Sequence, residues 1–241
     1  MLFRSLGADV TLFGGSGNNA SLVAGGGSRN VSLVGGSGNN NSLIAGSGAI
    51  NVSLIGGSGN NASLVAGGGS HNVSLVGGSG SNDSLVAFGE NVTLFGGSGN
   101  NASLVAGGGS HNVSLVGGSG NNHAILAEFG AVDIFAIGGS GNNDSLVAHG
   151  RNVSLVGGSG NNDSLVASST AVNILLLGGS GNNHSLVAQS GSLNILAVGG
   201  SGNNDSLAAH GRNVSLVGGS GNNNSLVAGA GAVNIDRKSV V

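Results

Sequence analysis

Gly35-Gly36-Ser37-Gly38-Asn39-Asn40-Asn41-Ser42-Leu43-Ile44-Ala45 is the stretch that the rest of the chain repeats. Its first four residues, Gly-Gly-Ser-Gly, begin at Gly14, Gly35, Gly56, Gly77, Gly96, Gly117, Gly138, Gly157, Gly178, Gly199 and Gly218. Successive starts are 21 or 19 residues apart, with no long insertion between them. A fixed period of about 20 residues marks a solenoid, in which one supersecondary unit stacks on the next. The expected fold is all-β: a parallel β-solenoid (β-roll or β-helix) of about 11 coils with 19–21 residues each. At about 4.8 Å per coil it would be about 50 Å long.

Working outward from that stretch, each coil divides into two related halves. One is Val31-Ser32-Leu33-Val34-Gly35 and the other Asn41-Ser42-Leu43-Ile44-Ala45. Short apolar alternation bounded by Gly, Asn and Ser reads as strand, and no helical period persists. Successive side chains on a strand face opposite ways. The Val31 column is always Val or Ile, the Leu33 column is Leu apart from Ala136 and Ala197, and the Ala24 column is always Ala. With the Leu22 column, these are the expected inward positions of two main sheets closing a thin, dry core. At the corners, Gly-Gly-Ser-Gly and the Asn18, Asn19 and Asn30 columns tolerate positive φ, and stacked Asn amides can bond along the axis as ladders.

Three segments follow. Residues 1–9 read as an N-terminal cap, an atypical half-coil in which Ser5-Leu6 echoes the repeat and Arg4 and Asp9 blunt a sheet edge. Residues 10–233 are the repeat domain. Residues 234–241 read as a C-terminal cap or tail, because Asp236-Arg237-Lys238 breaks the pattern with three charges.

Composition excludes several classes. High Gly without a Gly-X-Y period and without Pro rules out collagen. A net charge of −3 leaves no basic patch, so nucleic acid is not an expected partner. There is no Cys, hence no disulfide framework or thiolate metal site. No apolar run approaches the ~18 residues of a membrane span, and Met1-Leu2-Phe3-Arg4 is too short for a signal peptide. Export, if it occurs, would use a route with no cleaved N-terminal signal, or this sequence is a piece of a longer chain. Asn-x-Ser/Thr recurs in nearly every half-coil, but glycans at about 5 Å intervals would collide. The Asn are read as corner residues instead.

The segment Gly157-Gly158-Ser159-Gly160-Asn161-Asn162-Asp163-Ser164-Leu165 resembles the Gly-Gly-x-Gly-x-Asp-x-Leu-x nonapeptide of RTX proteins, with one extra residue before the Asp. That resemblance implies a parallel β-roll, calcium held between turns by Asp carboxylates and backbone carbonyls, and secretion without an N-terminal signal. The Asp position is Asp only at Asp83, Asp144, Asp163 and Asp205; elsewhere it is Ala20, Asn41, Ala62, Ala102, His123, His184 and Asn224. Calcium wants six to eight oxygens, so a row of calcium sites is not expected, and no other cofactor is. The one column dense enough to attract a cation is Asp144, Asp163, His184 and Asp205, expected to be solvated with His184 partly paired. His71, His111, His123, His149, His184 and His210 all lie in corners, and blocks recur every 61 residues as duplication would leave them. A nucleophile needs one serine with an oriented base, so an enzyme is not expected.

The outward columns are the candidate interface. The Ser32 column is Ser or Thr except at Phe135, Leu175 and Leu196. The next position is always apolar: Phe13, Val34, Ile55, Val76, Phe95, Val116, Ile137, Val156, Leu177, Val198 and Val217. Either this row faces solvent, or a bend before Gly35 tucks it inside a three-sided coil. An exposed stripe of that length marks a contact surface. The leading expectation is a structural scaffold of an extracellular matrix, adhesin or surface fibre that self-associates through flat faces. The alternatives are a module recognising ice or a polysaccharide through a Ser/Thr-Val face, and an RTX-type calcium-binding secretion module.

Overall fold

The computed structural model describes residues 2–229, together with the backbone of 236–238. Within them every paired strand is parallel, and most coils contribute two strands. Ser21–Ala24 pairs with Ser42–Ala45, matching Leu22 to Leu43 and Ala24 to Ala45. Arg29–Val34 pairs with Ile50–Ile55, matching Val31 to Val52 and Leu33 to Leu54. This register continues coil by coil, so the chain is a β-solenoid of about 11 turns. Two strands, Ser63–Val76 and Ser84–Phe95, run through the corner and serve both halves of their coils.

The coil is two-sided. The Leu22, Ala24, Val31 and Leu33 columns are buried throughout the central coils, and the residues between them are not. Large Leu and Val beside small Ala let two strands approach closely while excluding water. Fully burying one such Leu or Val contributes about 1.5–3 kcal/mol. Each coil therefore stabilises itself only when a neighbour covers it, which is why the unit repeats. Two further inward columns frame this core: Ser28 with Ala49, Ser70, Ser110, Ala131, Ala171 and Ser192, and the Ala20 column described below.

Both ends add strands to the stack. Leu2–Ser5 pairs with Ser21–Ala24, placing Phe3 on Leu22 and Ser5 on Ala24. Ser5 therefore takes the Ala position and Leu2 the Ser position, so Ser5-Leu6 does not stand in the register of the Ser-Leu pair that it echoes in sequence. Asp236–Lys238 pairs with Arg212–Val217, setting Arg237 in register with Leu216. The remainder of the expected C-terminal cap lies outside the described residues.

At the first corner the second Gly of each motif has positive φ, as at Gly36 (φ 84), followed by Asn40 (φ 58). At the second corner Asn51 has φ 56. Asn and Asp are the non-Gly residues that visit this region most readily, and Asp9 (φ 55) and Asp133 (φ 58) take it in the same column. The Asn30 column forms a side-chain ladder: Asn51 Nδ2 donates to Asn30 Oδ1 (2.9 Å) and Asn72 Nδ2 to Asn51 Oδ1 (2.9 Å). Asp9 is its first rung, accepting from Asn30 Nδ2 at 2.7 Å. The Asn19 column forms a second ladder, as in Asn61 Nδ2 to Asn40 Oδ1 (3.0 Å). The Asn18 column differs from expectation. Its residues are not in the left-handed region, and their Oδ1 accepts a backbone N–H of the next coil, as in Asn39 N to Asn18 Oδ1 (2.8 Å); from Asn121 to Asn203 the expected amide ladder runs beside this, as in Asn161 Nδ2 to Asn142 Oδ1 (3.2 Å).

Asn72 separates the two roles of a ladder residue. It has φ 54, donates to Asn51 and accepts from Asn91 Nδ2 at 2.9 Å. Asn72→Gly keeps the backbone conformation and loses two exposed hydrogen bonds, so it should cost about 1 kcal/mol. Asn72→Ala adds left-handed strain and should cost about 2 kcal/mol. Equal chemical-denaturation midpoints for the two variants would show that strain plays no part.

Candidate interaction faces and a buried corner column

On the long strands the alternation places Ser32 and Val34 outward together. The Val34 row is half-buried or exposed from Phe13 to Val217, with Phe13 65% exposed and Phe95 39%. The three-sided alternative, with this row tucked inside, is thereby excluded: from Leu33 to Leu216 every residue of the Leu33 column is buried while its Val34-type neighbour is half-buried or exposed. Phe13, Val34, Ile55, Val76, Phe95, Val116, Ile137, Val156, Leu177, Val198 and Val217 consequently form one continuous stripe, each in register with the next. Phe135 lies beside this stripe, and Leu175 pairs directly with Leu196, widening it toward the later coils. The Ser32 and Val34 rows hold no charged residue from Thr11 to Val217. Charges sit at the corner instead, where His71 Nδ1 lies 3.2 Å from Glu90 Oε2. Phe129, stacked on His149 at 4.4 Å in the same corner region, is exposed and was not singled out by the repeat, because it occupies a variable corner.

The second candidate, the Asp144, Asp163, His184 and Asp205 column, is placed differently from expectation. It is not solvated: all four side chains, with Asp83, Asn41 and His123, are at most 1% exposed. The column turns inward because each of these residues precedes the strand Ser-Leu-x-Ala by one position, and alternation places it on the Leu and Ala side. His123 and His184 therefore stand apart from the exposed His71 and His111.

Each side chain in this column accepts one backbone N–H from the preceding coil. Ala62 N donates to Asp83 Oδ1 (2.9 Å), His123 N to Asp144 Oδ1 (2.8 Å), Asp144 N to Asp163 Oδ1 (3.0 Å) and His184 N to Asp205 Oδ1 (3.0 Å). Imidazole serves the same way: Ala102 N donates to His123 Nδ1 at 3.2 Å. His184 Nδ1 lies 3.4 Å from Asp163 N and 3.6 Å from Asp163 Oδ2. Burial pushes the Asp83 carboxyl up to about 6. It pushes Asp144 up to about 7, with the Asp163 charge adding to the effect. Burial also raises Asp163 and Asp205, and lowers His123.

Calcium does not fit this column. Among the described residues no three His, Asp or Glu side chains come together as a metal would need. Each Asp has one oxygen already taken by a backbone N–H and one free, and Asp83 has Ala62 and Ala102 in the adjoining coils. Six to eight oxygens cannot be assembled from that supply inside a dry corner. Among the described residues there is also no helix, hence none long and apolar enough to cross a membrane. Comparison with protein-family models, curated proteins and solved structures finds no match to this chain.

Proposed function

We propose that this chain is a rigid structural repeat scaffold, a segment of an extracellular matrix, adhesin or surface fibre, that acts through its flat faces and pairs with further copies of itself. The observation behind this reading is the outward Val34 row: continuous, in register and free of charge along its length. A six-residue strand such as Arg29–Val34 is about 20 Å across, and about 11 coils span about 50 Å. One face thus offers about 1,000 Å², more than the ~800 Å² per partner that a standard stable interface buries. With charged residues only 6% of the chain, little repulsion keeps two such faces apart.

Light scattering on the wild type and on Ile137→Lys with Leu177→Lys tests this. The wild type should be dimeric or larger at micromolar concentration, and the double variant monomeric with an unchanged fold. A wild type that stays monomeric at high concentration would overturn the pairing. A second reading is favoured by the regular array of Ser32-type hydroxyls beside Val34-type methyls at strand spacing, which suits an ordered surface such as ice or a polysaccharide. Inhibition of ice recrystallisation by the wild type, lost in the double variant without any change of oligomeric state, would select it. The RTX-type secretion module is the third reading, and the poor fit of calcium to the Asp column weighs against it.

A further inference from the structure

The residues that share the buried corner column are Ala, Asn, His and Asp, and their polar members have one demand in common. Asn41 shows it in full. Its Oδ1 accepts from Ala20 N (3.2 Å), while its Nδ2 donates to Gly35 O (2.9 Å) and Gly38 O (2.6 Å) of its own corner. Asn224 repeats this, its Nδ2 donating to Gly218 O and Gly221 O. The position therefore presents one N–H to be accepted and two carbonyls to be donated to. Neutral imidazole can serve both: His123 Nδ1 accepts from Ala102 N, and the N–H on its other nitrogen is turned toward the Gly120 carbonyl, although no hydrogen bond closes there. A carboxylate meets only the first, because it has no proton to give.

The Asp side chains nevertheless adopt the Asn pose. A methyl group added to Gly35 would lie 3.1 Å from Asn41 Nδ2, and one added to Gly77 would lie 3.0 Å from Asp83 Oδ2. The same construction on Gly138, Gly157 and Gly199 meets Asp144, Asp163 and Asp205 Oδ2 at 3.0, 3.3 and 3.3 Å. Oδ2 of all four is fully buried and makes no hydrogen bond; the one nitrogen near any of them, His184 Nδ1 at 3.6 Å from Asp163 Oδ2, already faces the Asp163 N–H as an acceptor. An ionised oxygen there would oppose the glycine carbonyls, acceptor against acceptor, without water. We propose that Asp83, Asp144, Asp163 and Asp205 are held as neutral carboxylic acids, each donating its one Oδ2 proton to a glycine carbonyl of its own corner, so that the proton is a structural ligand and rising pH weakens the solenoid.

The groups facing each acid are few. Asp83 has Ala62 and Ala102 in the adjoining coils and no titratable neighbour in the column. Asp144 lies between His123 and Asp163, Asp163 between Asp144 and His184, and Asp205 between His184 and Asn224. The inward side chains packed across the core are Leu, Val, Ile, Ala and Ser. Asp83 is thus the clean reporter.

Burial raises the Asp83 carboxyl from 3.8 to about 6. A group raised on folding gives stability that is complete below its unfolded value and disappears as pH climbs through its folded value. Between pH 4 and pH 8 Asp83 alone should therefore lower the folding equilibrium constant by about a hundredfold, at tenfold per pH unit over the shifted interval. His123, lowered on folding, acts oppositely: its contribution is present above its ordinary value and lost as pH falls. Because it acts equally in variants at position 83, it cancels in the difference.

The experiment compares thermal and denaturant unfolding of the wild type, Asp83→Asn and Asp83→Ala from pH 4 to pH 8, each with calcium chloride and with EDTA. Asn and Ala both occupy this column natively, so both variants should fold. Asp83→Asn should match the wild type near pH 4 and be about a hundredfold more favourably folded at pH 8. Calcium should change neither protein. A wild type whose difference from Asp83→Asn is independent of pH overturns the proposal. So does a calcium-dependent stabilisation at pH 8 that Asp83→Asn lacks, which would mean an ionised, cation-held carboxylate. Failure of Asp83→Asn to fold would also overturn it, since Asn then could not replace the acid.

Discussion

Leu115→Asp should abolish cooperative folding of the whole chain, while Ser114→Asp, one residue away, should unfold within about 1 kcal/mol of the wild type. Leu115 is fully buried and stacks between Leu94 and Ala136 in the adjoining coils. The core between the two strands of each coil is filled by buried Leu, Val, Ile and Ala side chains, so a carboxylate at this position meets hydrocarbon and has no partner. An unpaired charge in such surroundings costs several kcal/mol or forces protonation. In a nearest-neighbour stack that loss also uncouples the coils on either side, so the single transition should be lost rather than merely shifted. Ser114 points outward, between Thr93 and Phe135, and its replacement remains hydrated. Circular dichroism melts of the two variants decide the matter. Equal melting temperatures would reverse the inward and outward assignment.

Gly120→Ala should be nearly as damaging, for a reason that the hydrophobic pattern does not contain. A Cβ at Gly120 would land on the carbonyl of Gly99 in the preceding coil. Backbone meets backbone there, so no rotamer change relieves the contact, and the coil must tilt or separate. Overpacking of that kind costs about 3 kcal/mol or more. Gly17 holds the same position in the first motif, and among the described residues no backbone lies against it: a Cβ there meets nothing within 4 Å. Gly17→Ala should therefore fall within about 1 kcal/mol of the wild type. If Gly17→Ala and Gly120→Ala melt together, close approach between corners is not what selects glycine.

These two cases mark the division between chain and fold. The period of the Gly-Gly-Ser-Gly motif determined the solenoid, because a unit that cannot cover its own apolar face has to stack. Strand alternation determined that the Leu22, Ala24, Val31 and Leu33 columns face the core, since a one-residue shift would expose all of them. The Asn ladders were foreseeable from side chains that tolerate positive φ and carry both donor and acceptor. Whether Val34 lies in or out was not, because a bend and a straight strand share the same local sequence; only the packed two-sided coil placed it outside. The Asp column was the larger reversal. Acidic residues in a polar corner read as solvated, yet the inward turn that begins each short strand carries Asp83, Asp144, Asp163 and Asp205 out of water. Burial is a property of what lies across the gap, so the chain alone could name these residues while only the stacked coils decided their charge.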